Sequence, residues 1–253
     1  MTDLYPVTAA VTAVLGVGSG LLVRPVIAWV PEPEAEAEPE SGPESEETPE
    51  PPEPEEPKEL YADIAARPGL AVRAMIVGGV AAGLLGLSLG WSWALLVVLP
   101  LVPVAMALAV IDWRTRLLPR KLVYPALGGS AVTVALSWAL DGFPGGTDTA
   151  VRTVVGCVAA FLVFYLLWFV YPRGMGFGDV RLSALLGLVL GYLGWSQWAV
   201  GLYGGFLLGA VIGGTLSLLK VVDRKGYPFG PFMLVGALLG VVTGQPLIDL
   251  IYS

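Results

Sequence analysis

Two aspartates stand out in an otherwise apolar chain. Asp112 closes one apolar stretch in AVIDWRTRLLPRKLVYP, and Asp179 opens another in YPRGMGFGDVRLSALLG. An ionisable group near membrane depth is costly, so each needs a reason. As a pair they have one. Peptide hydrolysis needs one group to take a proton from water and another to give one to the carbonyl oxygen or leaving amine. Two close aspartates in a low-dielectric site do not both ionise easily, so one keeps its proton while the other stays a base. Such a pair works without histidine, and the chain has none. That excludes a Ser-His pair, an HExxH zinc site and any histidine general base. The single cysteine, Cys157, lies in an apolar run and forms neither an intrachain disulfide nor a CxxC metal knuckle. The expectation is carboxylate chemistry with no metal and no cofactor.

The neighbours of the two aspartates fit this reading. Gly176 and Gly178 flank Phe177 just before Asp179. Glycine permits unusual backbone angles and close approach of another backbone, which suits a substrate strand within reach of the carboxyls. Pro119 is expected to end the loop after Asp112 and start the next helix. Taken singly, each aspartate has a plainer reading. Asp112 could be an interfacial residue paired with Arg114 or Arg116, and Asp179 a helix N-cap. What favours the pair is a shared depth and side in the membrane.

That depth follows from the elements that carry them. Of 253 residues, 55% are hydrophobic and only 14% charged, with a mean hydropathy of +0.74. A soluble domain is about a quarter charged. Eight apolar runs can be marked, at 7–30, 70–89, 91–111, 122–140, 150–171, 180–193, 197–219 and 229–251. Most approach the ~20 residues that cross ~30 Å of hydrocarbon. They are continuous rather than alternating, so helices are expected, not a barrel. The fold class is an all-α integral membrane protein of about eight transmembrane helices. The first run reads as a retained span, because residues 1–6 carry no Lys or Arg and Val30-Pro31 is a poor cleavage site. With the N-terminus outside, every Lys and Arg except Arg152 falls toward the cytoplasm, the asymmetry expected of a membrane protein. Both termini are then outside, and Asp112 and Asp179 meet at the cytoplasmic edge.

The net charge of −7 comes from one segment. Residues 31–60 hold 13 glutamates and a single basic residue, Lys58. The remainder is basic, which points to cytoplasmic loops rather than to nucleic acid. Residues 31–57, all Pro, Glu and small side chains, cannot bury enough surface to offset ordering. They are expected to be a disordered, extended linker, a solvated spacer in preference to a docking tail. Gly205, Gly209 and Gly213 recur at four-residue spacing, an ordinary close-packing face.

Three segments together resemble the type IV prepilin peptidases. AVIDWRTRLLPRKLVYP resembles their first catalytic segment, and MGFGDVRLSALLG resembles the GxGD segment with its basic residue two positions on. YPFGPFMLVGALLG, residues 227–240, resembles their C-terminal Pro-Phe-Gly-Pro-Phe segment. The resemblance covers residues from about 95 to 252. It implies an aspartyl endopeptidase of the bacterial inner membrane with catalytic Asp112 and Asp179, facing the cytoplasm. It also implies type IV prepilins or pseudopilins as substrates, cut after a basic leader. The chain then divides into a first transmembrane helix (1–30), a linker (31–60) and a seven-helix peptidase domain (61–253). Many members carry after the first span a domain, often with paired CxxC motifs, tied to N-methylation. Here the Glu/Pro tract stands in its place, so the methyltransferase half and any need for S-adenosylmethionine are unsupported. The rival readings are a catalytically silent scaffold for pilus or secretion assembly and a small transporter. Transporters favour charges near the midplane.

Overall fold

Long apolar runs punctuated by Gly and Pro fold into helices, and there is no strand among the described residues. The computed structural model describes residues 5–32, 59–172, 175–213, 215 and 228–252. Residues 33–58, nearly all of the expected linker, lie outside them, as do Arg173, Lys220, Arg224 and Lys225 of the charge asymmetry.

The first run folds as two helices, α1 (Pro6–Gly20) and α2 (Val23–Trp29), bent by 41° at the break. Pro25 explains the break. It has no N–H for the carbonyl of Leu21, four residues earlier, and its ring crowds that carbonyl. Past α2, the Glu32 carboxylate accepts the backbone N–H groups of Tyr61 (3.0 Å) and Ala62 (3.1 Å). It thereby satisfies two orphan donors at the start of the short helix α3 (Tyr61–Ala66). Arg24 Nε donates to the carbonyl of Ala65 at 2.8 Å, which docks α3 on α2. Both ends of the Glu/Pro tract are therefore held at one place.

Next come α4 (Leu70–Leu89), packed along α1, and the short α5 (Leu95–Val98), which leads at Pro100 into α6 (Leu101–Thr115). This span ends four residues beyond the expected 111, so Asp112 lies inside the last helical turn. The chain continues through α7 (Arg120–Leu140), α8 (Gly146–Val170), α9 (Phe177–Leu193) and α10 (Trp195–Leu208). After α10 comes a π-helical turn at Gly209–Gly213, and then α11 (Gly230–Tyr252). Gly201 and Gly205 let α10 lie directly on α11, where a Cβ on Gly205 would come 3.1 Å from Met233 Cα. Gly209 extends that face against the Phe229 ring.

The protein is an all-α membrane protein. Among the described residues six helices are long and apolar enough to cross a bilayer, or seven if the bent first pair counts as one span. The remaining expected span, the sixth run at 180–193, is the 17-residue α9. Twelve of its 17 residues are buried, enclosed by α7, α8, α10 and α11. A helix wrapped by protein meets little lipid, so bilayer thickness does not set its length. Its far end is capped by Arg152, whose Nε donates to the Gly191 carbonyl (2.7 Å) and whose guanidinium also donates to the Tyr192 carbonyl (2.8 Å). A cation suits a helix C-terminus, both for its orphan carbonyls and for the helix dipole. This gives a structural role to Arg152, the one basic residue that the charge asymmetry sets apart.

Candidate active site

Asp112 sits in the last turn of α6. The helix stops just beyond it at Arg116, in the left-handed region with φ 55°, whose N–H donates to the Asp112 carbonyl at 2.8 Å. The Asp112 side chain is 4% exposed. It makes no ion pair among the described residues, for Arg114 binds Glu59 instead (2.7 Å), and Glu59 also holds Arg67 (2.7 Å). The partner of Asp112 is the backbone. Gly230 N–H donates to Oδ2 at 2.9 Å, across 118 residues of chain. A Cβ at position 230 would lie 2.7 Å from that same oxygen, so only glycine brings this N–H so close. A cluster of Phe164, Phe206 and Phe229 fixes the segment, with ring centroids 4.8 to 6.2 Å apart.

Asp179 is in the first turn of α9, 7% exposed. The N-cap is Gly176, to whose carbonyl the Asp179 N–H donates at 3.1 Å, and no side chain caps this helix. The plain capping role is therefore not what Asp179 does here. Gly176 has ordinary extended angles, φ −73° and ψ 145°. Gly178 is where space matters. A Cβ there would stand 2.8 Å from Leu118 Cβ. Leu118 packs against Gly178, and both line the cavity that Asp112 and Asp179 share. Leu118 also reaches the Gly230 segment, with Cδ1 3.5 Å from where a Cβ would be. Pro119 places it: with extended ψ of 126°, Pro119 is the N-cap of α7, and its carbonyl accepts from Leu122 (3.0 Å) and Val123 (3.1 Å). Leu118 is wedged between the segment that carries Asp179 and the Gly230 segment that holds Asp112.

The two carboxylates line one cavity of about 1010 Å³, at the upper end of the ~300–1,000 Å³ usual for ligand sites. Arg116, Arg120, Lys121 and Arg181 add positive charge to the walls, while Glu32 and Tyr61 stand at the rim. Arg181 is held by aromatic faces, 4.7 Å from the Phe177 centroid and 5.8 Å from that of Tyr124. Its Nε is buried with no hydrogen-bond partner among the described residues. No group of three metal-ligating side chains gathers among them.

Several participants escape sequence reasoning. Gly230 lay in a segment picked out only by resemblance, with no role attached. Leu118 is one leucine among many. Glu32 and Glu59 are two of 13 glutamates in an acidic tract, and nothing in the tract marks them. Arg181 did carry a signal, its place two residues after Asp179.

Comparison with known proteins bears on the same residues. A family model described as the type IV leader peptidase family matches residues 99–218, and so includes Asp112, Pro119, Gly176, Gly178 and Asp179. Over that segment the chain is similar to the type IV leader peptidase family. The chain is similar to proteins named prepilin leader peptidase/N-methyltransferase. For the Aeromonas hydrophila protein, identity is 31% over 167 residues, covering 64% of this chain and 54% of that one. For the Pseudomonas putida protein it is 32% over 192 residues, covering 72% and 63%. For the Neisseria gonorrhoeae protein it is 32% over 165 residues, covering 63% and 53%. The chain thus spans a little over half the length of most of these leader peptidases. No solved structure matches it.

Proposed function

We propose that this chain is a membrane aspartyl endopeptidase that removes the leader of type IV prepilins or pseudopilins at the cytoplasmic face of the bacterial inner membrane. The observation that carries the proposal is the pair Asp112 and Asp179: two buried carboxylates with no cationic partner among the described residues, on different helices, lining one cavity. In hydrolysis one carboxylate takes a proton from water, whose oxygen attacks the scissile carbonyl carbon. The other carboxylic acid gives its proton to the carbonyl oxygen. Collapse of the tetrahedral intermediate then returns a proton to the departing amine. Acid–base help of this kind is typically worth ~10²–10⁴ in rate. The Gly230 N–H fixes one oxygen of Asp112 and leaves the other for water. Gly178 and Pro119 act through Leu118, which sets the spacing of the two segments, while Gly176 starts the helix that presents Asp179.

The basic residues at this end of the bundle support a cytoplasmic location. The division into a first helix (1–30), a linker (31–60) and a peptidase domain (61–253) belongs to the same proposal, as does a role in pilus or type II secretion assembly. We assign the peptidase step alone. The relatives' names also include an N-methyltransferase, a step that lies outside this proposal. Co-expression with a prepilin tests the proposal. The substrate band should shift to the mobility of the mature pilin, and a prepilin that stays full length contradicts it.

A further inference from the structure

Behind the wall that carries Asp112, a second cleft of about 570 Å³ opens between α4, α6 and the start of α11. Its two ends differ in chemistry. Val77 on α4 and Met106 and Val110 on α6 form an apolar floor, and Val77 and Trp113 are exposed at its margins. At the other end three guanidiniums, Arg67, Arg73 and Arg114, stand on the rim. Among the described residues one carboxylate answers them. Glu59 takes Arg67 Nε and Arg114 Nε, each at 2.7 Å. Arg67 first and then Arg114 hold Glu59 below the usual carboxylate range, so it stays charged at neutral pH. Arg73 is exposed and has no carboxylate partner among the described residues. Among the described residues three cations against one anion leave the rim with two net positive charges, at the level where the apolar parts of α4 and α6 end.

We infer that this cleft is a binding site for an anionic phospholipid. The phosphate and headgroup lie against Arg73 and Arg114, and an acyl chain runs down the Val77–Met106–Val110 floor. The two ends select this ligand together. A soluble anion would use the rim and leave the floor unused. A purely apolar guest would fill the floor and leave two guanidiniums unbalanced. A zwitterionic lipid brings its own ammonium, which meets the rim with a like charge. Basic pockets between membrane helices suit anionic headgroups, and Trp suits the interface level where Trp113 sits. The cleft backs directly onto the Asp112 segment. Trp113 and Arg114 follow Asp112 in sequence, and Pro231 follows Gly230. A lipid seated there braces the ends of α4, α6 and α11 against one another.

Native mass spectrometry of the full chain in detergent tests this, with phosphatidylglycerol and phosphatidylcholine of identical chains and with inorganic phosphate. Phosphatidylglycerol should bind at least roughly tenfold more tightly than phosphatidylcholine, and millimolar phosphate should not displace it. Arg73→Gln should weaken phosphatidylglycerol binding by roughly fivefold, the effect of one basic residue at an anionic surface. Glu59→Gln, which removes the competing carboxylate, should tighten it. Val77→Trp should block the acyl chain and weaken both lipids. Lys121→Gln, on the other cavity, should bind like the parent. Arg73 makes no ion pair among the described residues, so its variant should melt like the parent, which keeps its binding result interpretable. Equal binding of the two lipids, unchanged binding by Arg73→Gln, or displacement by phosphate would each overturn the inference.

Discussion

Gly230→Ala is the smallest change that tests how Asp112 is held. The added methyl carbon would lie 2.7 Å from Asp112 Oδ2 and 3.3 Å from its Cγ. Ordinary contact begins at 3.4 Å, so either the carboxylate or the start of α11 must move by roughly 0.7 Å. That motion strains the 2.9 Å bond from Gly230 N–H. A hydrogen bond to a charged group is worth about 1.5–3 kcal/mol, and a misplacement near 1 Å at a reacting centre can cost about 10²-fold in rate. The variant should therefore cleave prepilin about a hundredfold more slowly in a single-turnover gel assay, and it should melt at a lower temperature. Helix propensity predicts the opposite, since Gly→Ala inside a helix stabilises by roughly 0.5–1 kcal/mol. Gly129→Ala on α7 is the control, because a Cβ there meets nothing within 4 Å; it should keep full activity. A Gly230→Ala enzyme with parental rate and raised melting temperature would refute the reasoning.

Three other outcomes are expected. Arg152→Gln removes the charged fork that caps α9 and should cost about 1.5–3 kcal/mol of stability in a thermal melt, while the surviving folded fraction keeps its cleavage rate. Excision of residues 34–57, which spares Glu32 and Glu59, should keep prepilin cleavage, whereas Glu32→Ala should weaken the docking of α3 and show as faster proteolysis there. Single cysteines at positions 146 and 223, in a background lacking Cys157, should react with impermeant reagents from opposite faces, outside and cytoplasmic; reaction from one face only would refute the topology.

What the sequence disclosed and what it hid divide along physical lines. The runs that became α4, α8 and α11 were legible because lipid demands a long apolar stretch. Helix α9 was harder to read because protein, not lipid, surrounds it, and its length answers to α7, α8 and α10. The bend between α1 and α2 had a visible cause in Pro25. The two aspartates were legible as costly groups at matched depth. Their surroundings were not, because each depends on contacts distant in sequence. The bond from Gly230 to Asp112 crosses 118 residues, and the wedge of Leu118 against Gly178 needs both segments in place. Glu59 drew no notice in a tract of like residues, yet it ties the end of α6 to Arg67. Gly178 was assigned room for a substrate; it lines the cavity with the two aspartates, and Leu118 packs against it.

The central claim is that Asp112 and Asp179 act together as an acid–base pair. Its most direct measurement is the prepilin cleavage rate of Asp112→Asn and Asp179→Asn, in protein shown to be folded and membrane-inserted. Asparagine keeps the shape of the side chain and can still accept the Gly230 N–H. It caps helices about as well as aspartate, so a structural role at Asp179 would survive the change. It cannot serve as a base or cycle a proton. Each variant should lose at least ~10²–10⁴ in rate, and the double variant should be little slower than either single one, because the pair works as a unit. If either single variant cleaves near the parental rate, the pair is not the catalyst.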